Sequence, residues 1–96
     1  MDEVMRKVAE IARLTMRQTY LALQIADLKA RDLHFQVTAD LHMHRRDFHQ
    51  QYWDHEVTTV IRQGIARDLA PLTAEFEKNQ VRLRTISEEL GFPVPA

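Results

Sequence analysis

Residues 65–90, IARDLAPLTAEFEKNQVRLRTISEEL, repeat apolar side chains at alternating steps of four and three. The members of this seam are Ile65, Leu69, Leu72, Phe76, Asn79, Leu83, Ile86 and Leu90. Heptad spacing places them on one face of an α-helix and predicts that this face packs against another helix. Asn79 is the polar member, and it either fixes the register of the seam or lies at a solvent-facing edge.

The ends of this helix are marked by glycine and proline. Gly64 is placed to cap a preceding helix, and Asp68 with Pro71 in a first turn starts a new one. Gly91 ends it, and residues 91–96 are predicted to form an extended tail. The sequence therefore predicts a helix over 68–90.

The N-terminal third predicts another amphipathic helix, over residues 2–36. It is rich in helix-forming residues, and Asp2 is a candidate N-cap. Its apolar stripe consists of Val4, Val8, Ile11, Leu14, Leu21, Ile25 and Leu28.

Residues 33–44 alternate between apolar and polar side chains, which is the period of a half-buried strand. Since turn residues are missing, we expect a helix with a break near residues 32–40, followed by a second helix over 39–63 capped by Thr38 or Asp40. Two alternatives stay open. The segment is a strand that pairs with a second subunit, or the first helix runs on into the second as one rod.

The length and composition of the chain limit the classes of protein to which it can belong. The chain has 96 residues, no cysteine and a formal net charge of −1. We expect one all-α domain over 1–96, a helical bundle or coiled-coil-like oligomer, because so short a chain without disulfides has a small core. No apolar run is long enough to cross a bilayer, so we expect a soluble protein without a membrane partner, and the absence of cysteine favours a cytoplasmic location. Interleaved charges make nucleic acid an unlikely partner.

The five histidines are clustered in residues 34–55. Side chains three or four residues apart on a helix can approach one another, and Asp40, His44 and Asp47 have this spacing. With His55, they are the candidate metal ligands, suited to zinc, iron, manganese or nickel. The alternative is that His44 and His55 are hydrogen-bonded interface residues and the other histidines are solvated.

No constellation for catalysis is present, so no enzymatic activity is expected: Ser87 has no histidine near it, and the two glycines are isolated. The sequence favours a non-enzymatic helical assembly module, acting as a homo-oligomer or as an accessory subunit of a larger protein. The seam of residues 65–90 is its predicted interface, extended by Phe48 and Tyr52. The alternative function is metal binding, for sensing or storage, at a site around His44 completed by another helix or subunit.

Overall fold

In a computed structural model, the described residues form two long α-helices that pack against each other, α1 (Glu3–Met43) and α2 (Phe48–Leu90). The structure describes residues 2–43 and 48–92, and within these the side chains of all but residues 39, 41–43 and 48–54. The predicted all-α class is confirmed. Neither described helix has a stretch long and apolar enough to cross a membrane.

The predicted break near residues 32–40 is wrong, because α1 continues without interruption to Met43. The strand alternative is also wrong for residues 33–43. The alternation that suggested a strand divides between two faces of one helix: Phe35 is half-buried, whereas Leu33 and Val37 are exposed. A helix tolerates this sequence because neither glycine nor proline interrupts it.

The predicted start of a third helix after Gly64 is wrong as well, since α2 is one helix from Phe48 to Leu90. A glycine that caps a helix in the Schellman or αL motif has a left-handed backbone. Among the described residues only Gly91 has one, with φ of 74°. Pro71 lies inside α2, where it lacks the N–H that would bond to the carbonyl of Arg67. The heptad seam continues on both sides of it, and this packing outweighs the local preference for a break.

The chain divides into two compact units, Met1–Gln24 with Leu72–Ala96, and Ile25–Pro71. In the first, α1 and α2 run antiparallel, because residues early in α1 pair with residues late in α2. Arg17 bonds Glu75 through two N–H groups at 2.6 and 2.7 Å, and Glu10 pairs in the same way with Arg82 at 2.9 and 3.1 Å. Lys7 lies 3.0 Å from Glu89.

Both ends of the first unit are capped. The Asp2 carboxylate accepts a hydrogen bond from the Met5 N–H at 2.7 Å, which confirms the predicted N-cap. At the other end, the Phe92 N–H bonds the Ser87 carbonyl and the Gly91 N–H bonds that of Glu88. These two bonds and the left-handed Gly91 form a Schellman motif, so Gly91 ends the helix as predicted.

The core of the first unit is small. Leu21, Leu83 and Ile86 are its buried apolar side chains, and Gln18 and Ser87 are buried beside them. In the second unit, Ile65 is buried, and the Arg62 guanidinium bonds both oxygens of Asp32 at 2.8 and 3.1 Å. Among the described residues, twelve large apolar side chains are exposed and only four are buried, so much apolar surface is left uncovered within the chain.

Candidate functional site

A stripe of uncharged side chains runs along the face of α1 opposite the one that packs on α2. Its members follow one another at alternating steps of four and three, which is the spacing of a second heptad seam. We call this set the outer stripe: Met5, Ala9, Ala12, Met16, Thr19, Leu23, Ala26, Ala30, Leu33 and Val37. All ten are exposed.

The outer stripe is unusual because a helix on the surface of a small protein normally turns charged residues toward water. Met16 is 76% exposed, Leu23 65% and Leu33 60%. The outward face of α2 shows the ordinary pattern. Its members at heptad spacing are Arg67, Ala70, Ala74, Glu77, Val81, Arg84 and Glu88, of which four are charged. The two helices of one chain therefore differ in what they present to their surroundings.

Thr19 is the one polar member of the outer stripe, and its hydroxyl already has a partner. The Thr19 Oγ1 donates a hydrogen bond to the Thr15 carbonyl, one turn earlier in α1, at 3.1 Å. A buried hydroxyl is costly only when it has no hydrogen bond. Covering this face would therefore leave no unsatisfied donor at Thr19.

The outer stripe is not apparent from valine, isoleucine and leucine alone, which are the residues on which the predicted stripe of α1 is based. Four of the ten members are alanine, and they connect the larger residues into a continuous pattern. The predicted stripe of α1 follows the face that packs on α2: Leu21 is buried, and only Val4 and Val8, near the start of the helix, are exposed. A search for a second uncharged heptad pattern would have found the outer stripe.

The predicted interface seam lies in the described part of α2 and is covered by α1 within each unit. Ile65, Leu83 and Ile86 are buried, and the other members, Leu69, Leu72, Phe76, Asn79 and Leu90, are partly buried. Asn79 donates to the Glu75 carboxylate at 3.3 Å. A contribution of this seam to contacts with another copy stays a prediction. Phe48 and Tyr52, its predicted extension, lie outside the described side chains.

The predicted metal ligands are only partly described. Asp40 and His55 line one cleft of about 450 Å³ in the unit of residues 25–71, whereas His44 and Asp47 lie outside the described residues. In the described part of the chain, no group of three or more histidine, aspartate or glutamate side chains is close enough to hold a metal ion. The other residues lining the cleft include Asp32, Gln36, Thr58, Thr59 and Arg62.

The charge in this cleft is dominated by the pair of Asp32 and Arg62. The hydrogen bonds from Arg62 lower the pKa of Asp32, and the bonds to Asp32 raise the pKa of Arg62, with a further contribution from the negative charge of Asp40. Both Asp32 oxygens are therefore engaged by a guanidinium that stays positive. A cation bound at Asp40 and His55 would therefore share the cleft with the positive charge of Arg62.

Exposed ion pairs complete the electrostatics of the first unit. Hydrogen bonds from Arg17 lower the pKa of Glu75, and those from Arg82 lower the pKa of Glu10. Both arginines are about half exposed, so water and salt screen these pairs. Their bidentate geometry aligns α1 with α2 in this unit, while the buried side chains supply most of its stability.

Comparison of the chain with protein-family models, with curated proteins and with solved structures finds no match.

Proposed function

We propose that this protein is a non-enzymatic helical assembly module that associates with another copy of itself through the outer stripe of α1. The observation that carries the proposal is the stripe itself, in which ten successive heptad positions are exposed and none is charged. Contiguous apolar surface of this kind is characteristic of protein interfaces.

The free energy available from burying the apolar side chains of the stripe supports the same proposal. Fully burying a large apolar side chain contributes about 1.5–3 kcal/mol. Met5, Met16, Leu23, Leu33 and Val37 are each between 48% and 76% exposed, so a substantial part of that free energy is not realised within one chain. Because the buried core is small, covering the stripe would also add to a marginal fold.

A charge placed in the outer stripe tests the proposal. We expect the wild-type chain to be at least a dimer in sedimentation velocity at micromolar concentration, and Leu23→Glu to be monomeric, because its carboxylate would have to be buried without a partner. Val81→Glu is the matched control: Val81 is 62% exposed against 65% for Leu23, but it lies among the charged residues of α2. We expect it to leave the mass unchanged.

Circular dichroism of both variants at the same concentrations shows whether the helices persist. A monomeric wild-type chain would contradict the assembly proposal. So would a Leu23→Glu variant that keeps both the mass and the stability of the wild type, because the outer stripe would then be exposed in the assembled protein.

A second candidate function is the binding of a divalent metal ion, favoured by the position of Asp40 and His55 in one cleft. Melts of chelator-treated protein with and without Zn²⁺, Ni²⁺, Mn²⁺ or anaerobic Fe²⁺ test it. If metal binds there, the melting temperature rises and His55→Ala removes the rise, whereas His34→Ala, a control at a histidine that does not line the cleft, keeps it. No shift with any of the four ions would eliminate this candidate.

A further inference from the structure

We infer that the two copies pack their α1 helices antiparallel along the outer stripe, so that Ala12 of one copy faces Ala30 of the other. This inference rests on the proposed function and adds the direction and the register. It is carried by the order of large and small residues along α1 and by the charges beside the stripe.

The order of side-chain sizes favours an antiparallel pair. In the proposed register the facing layers are Met5 with Val37, Ala9 with Leu33, Ala12 with Ala30, Met16 with Ala26, and Thr19 with Leu23. Leu33 and Met16 each face an alanine, so their bulk fills space that a small residue leaves open. The twofold axis repeats each of these five pairs, so the interface has ten layers and extends over about 48 Å along α1, from Met5 to Val37.

A parallel pair would place each residue against its own copy. Met16 would meet Met16 and Leu23 would meet Leu23, while the four alanines would face one another and leave gaps between the large layers. The large layers would hold the two helices apart at the alanines. The alanine side chains would then lose their van der Waals contacts, because a gap too small for water contains no atoms. In the proposed register alanine faces alanine only where Ala12 meets Ala30, so the size pattern disfavours the parallel direction.

The residues beside the stripe distinguish the antiparallel registers. In the proposed one, Arg13 of each copy lies across from Asp27 of the other, and the two Tyr20 side chains meet at the twofold axis. Asp27 already pairs with Arg31 of its own helix at 2.9 Å, so Arg13 would bring it a second cation. Opposite charges at such flanking positions set partner orientation in helical pairs.

Other registers are less favourable. Sliding the two helices by one heptad toward their N-termini brings Arg6 opposite Asp27 but leaves Leu33 and Val37 uncovered. A second heptad in the same direction places Arg13 against Arg13, two like charges in contact. The proposed register covers every member of the outer stripe and opposes no like charges along its flanks.

Cysteine cross-linking tests the inference, because the full chain contains no cysteine of its own. Ala12→Cys and Ala30→Cys are conservative changes at exposed alanines. We expect an equimolar mixture of the two variants, one carrying a tag that changes its mass, to form a disulfide-linked mixed dimer under mild oxidation. Each variant alone should stay uncross-linked, since its own two thiols would be separated by the rise from residue 12 to residue 30, about 27 Å. A disulfide requires Cα atoms within about 7 Å.

Each outcome is decisive. A dimer cross-linked by Ala12→Cys alone would show a parallel pair and overturn the inference. Absence of the mixed disulfide, in a protein whose wild-type dimer is lost on Leu23→Glu, would overturn the register while the proposed assembly function stands. A monomeric wild-type chain would contradict both. Adding Leu23→Glu to both cysteine variants is the control, and we expect it to abolish the mixed disulfide.

Discussion

Replacing Leu83 with aspartate is expected to eliminate the cooperative unfolding transition of the protein. Leu83 is 5% exposed and lies in the small core of the first unit with Leu21 and Ile86. Removing a buried leucine costs about 2–5 kcal/mol, and the new carboxylate adds the cost of burying a charge without a partner. This loss is of the same order as the total stability of a small domain, which is about 5–15 kcal/mol. Thermal and urea melts followed by circular dichroism measure the effect.

Val81→Asp is the control for this prediction. Val81 lies two residues before Leu83 on the same helix but is 62% exposed, so its carboxylate stays in water. We expect it to change the free energy of unfolding by no more than about 0.5 kcal/mol, as is usual for surface substitutions. Equal destabilisation by the two variants would mean that Leu83 is not in the core. Leu83→Asp is expected to unfold the chain, whereas Leu23→Glu is expected to leave it helical. Circular dichroism must therefore accompany the measurement of mass to tell the two effects apart.

The all-helical class could be predicted from the sequence because it depends on spacing and composition that extend over many residues. The seam from Ile65 to Leu90 is such a pattern, and its members are buried or half-buried in the structure. The caps at Asp2 and Gly91 were also predicted, because a cap depends on a few neighbouring residues whose chemistry the sequence gives directly.

The predicted breaks failed because local signals at Gly64, Pro71 and residues 32–40 were weaker than the packing of long helices. A glycine or proline in a helix costs about 1 or 3 kcal/mol, and the contacts of the surrounding turns offset it. The outer stripe was missed for a different reason. Four of its ten members are alanine, whereas the prediction followed the larger apolar residues, which are concentrated on the face that packs on α2.

Gln18 is the residue where the core departs most from the rules of packing, and it too was missed. It occupies the seam of α1 between Leu14 and Leu21, and it is only 8% exposed. Its amide N–H₂ donates to the Phe76 carbonyl at 2.9 Å and to the Gln80 Oε1 at 3.2 Å, whereas its own Oε1 is buried without a hydrogen bond. A polar residue at a seam position was the signal that could have found it.

Replacing Gln18 with leucine is therefore expected to raise the free energy of unfolding by about 1 kcal/mol. The change removes a buried acceptor that lacks a partner, which costs about 1–3 kcal/mol, and it gives up two hydrogen bonds, each with a net value of about 0.5–1.5 kcal/mol. Loss of the Gln18 amide leaves neither acceptor without a hydrogen bond, because the Phe76 carbonyl lies within a continuous helix and the half-buried Gln80 side chain can bond to water. The apolar surface that leucine buries makes the sum favourable.

Gln80→Leu is the matched control, because it removes one partner and leaves the Gln18 amide in the core. Gln18 would then keep only its bond to the Phe76 carbonyl, so we expect this variant to be less stable than the wild type. Urea denaturation of the three proteins at one concentration compares them, and an unchanged denaturant slope confirms that the difference lies in the folded state. A loss of stability in Gln18→Leu would contradict this account and show that the two hydrogen bonds of the amide outweigh its unsatisfied oxygen.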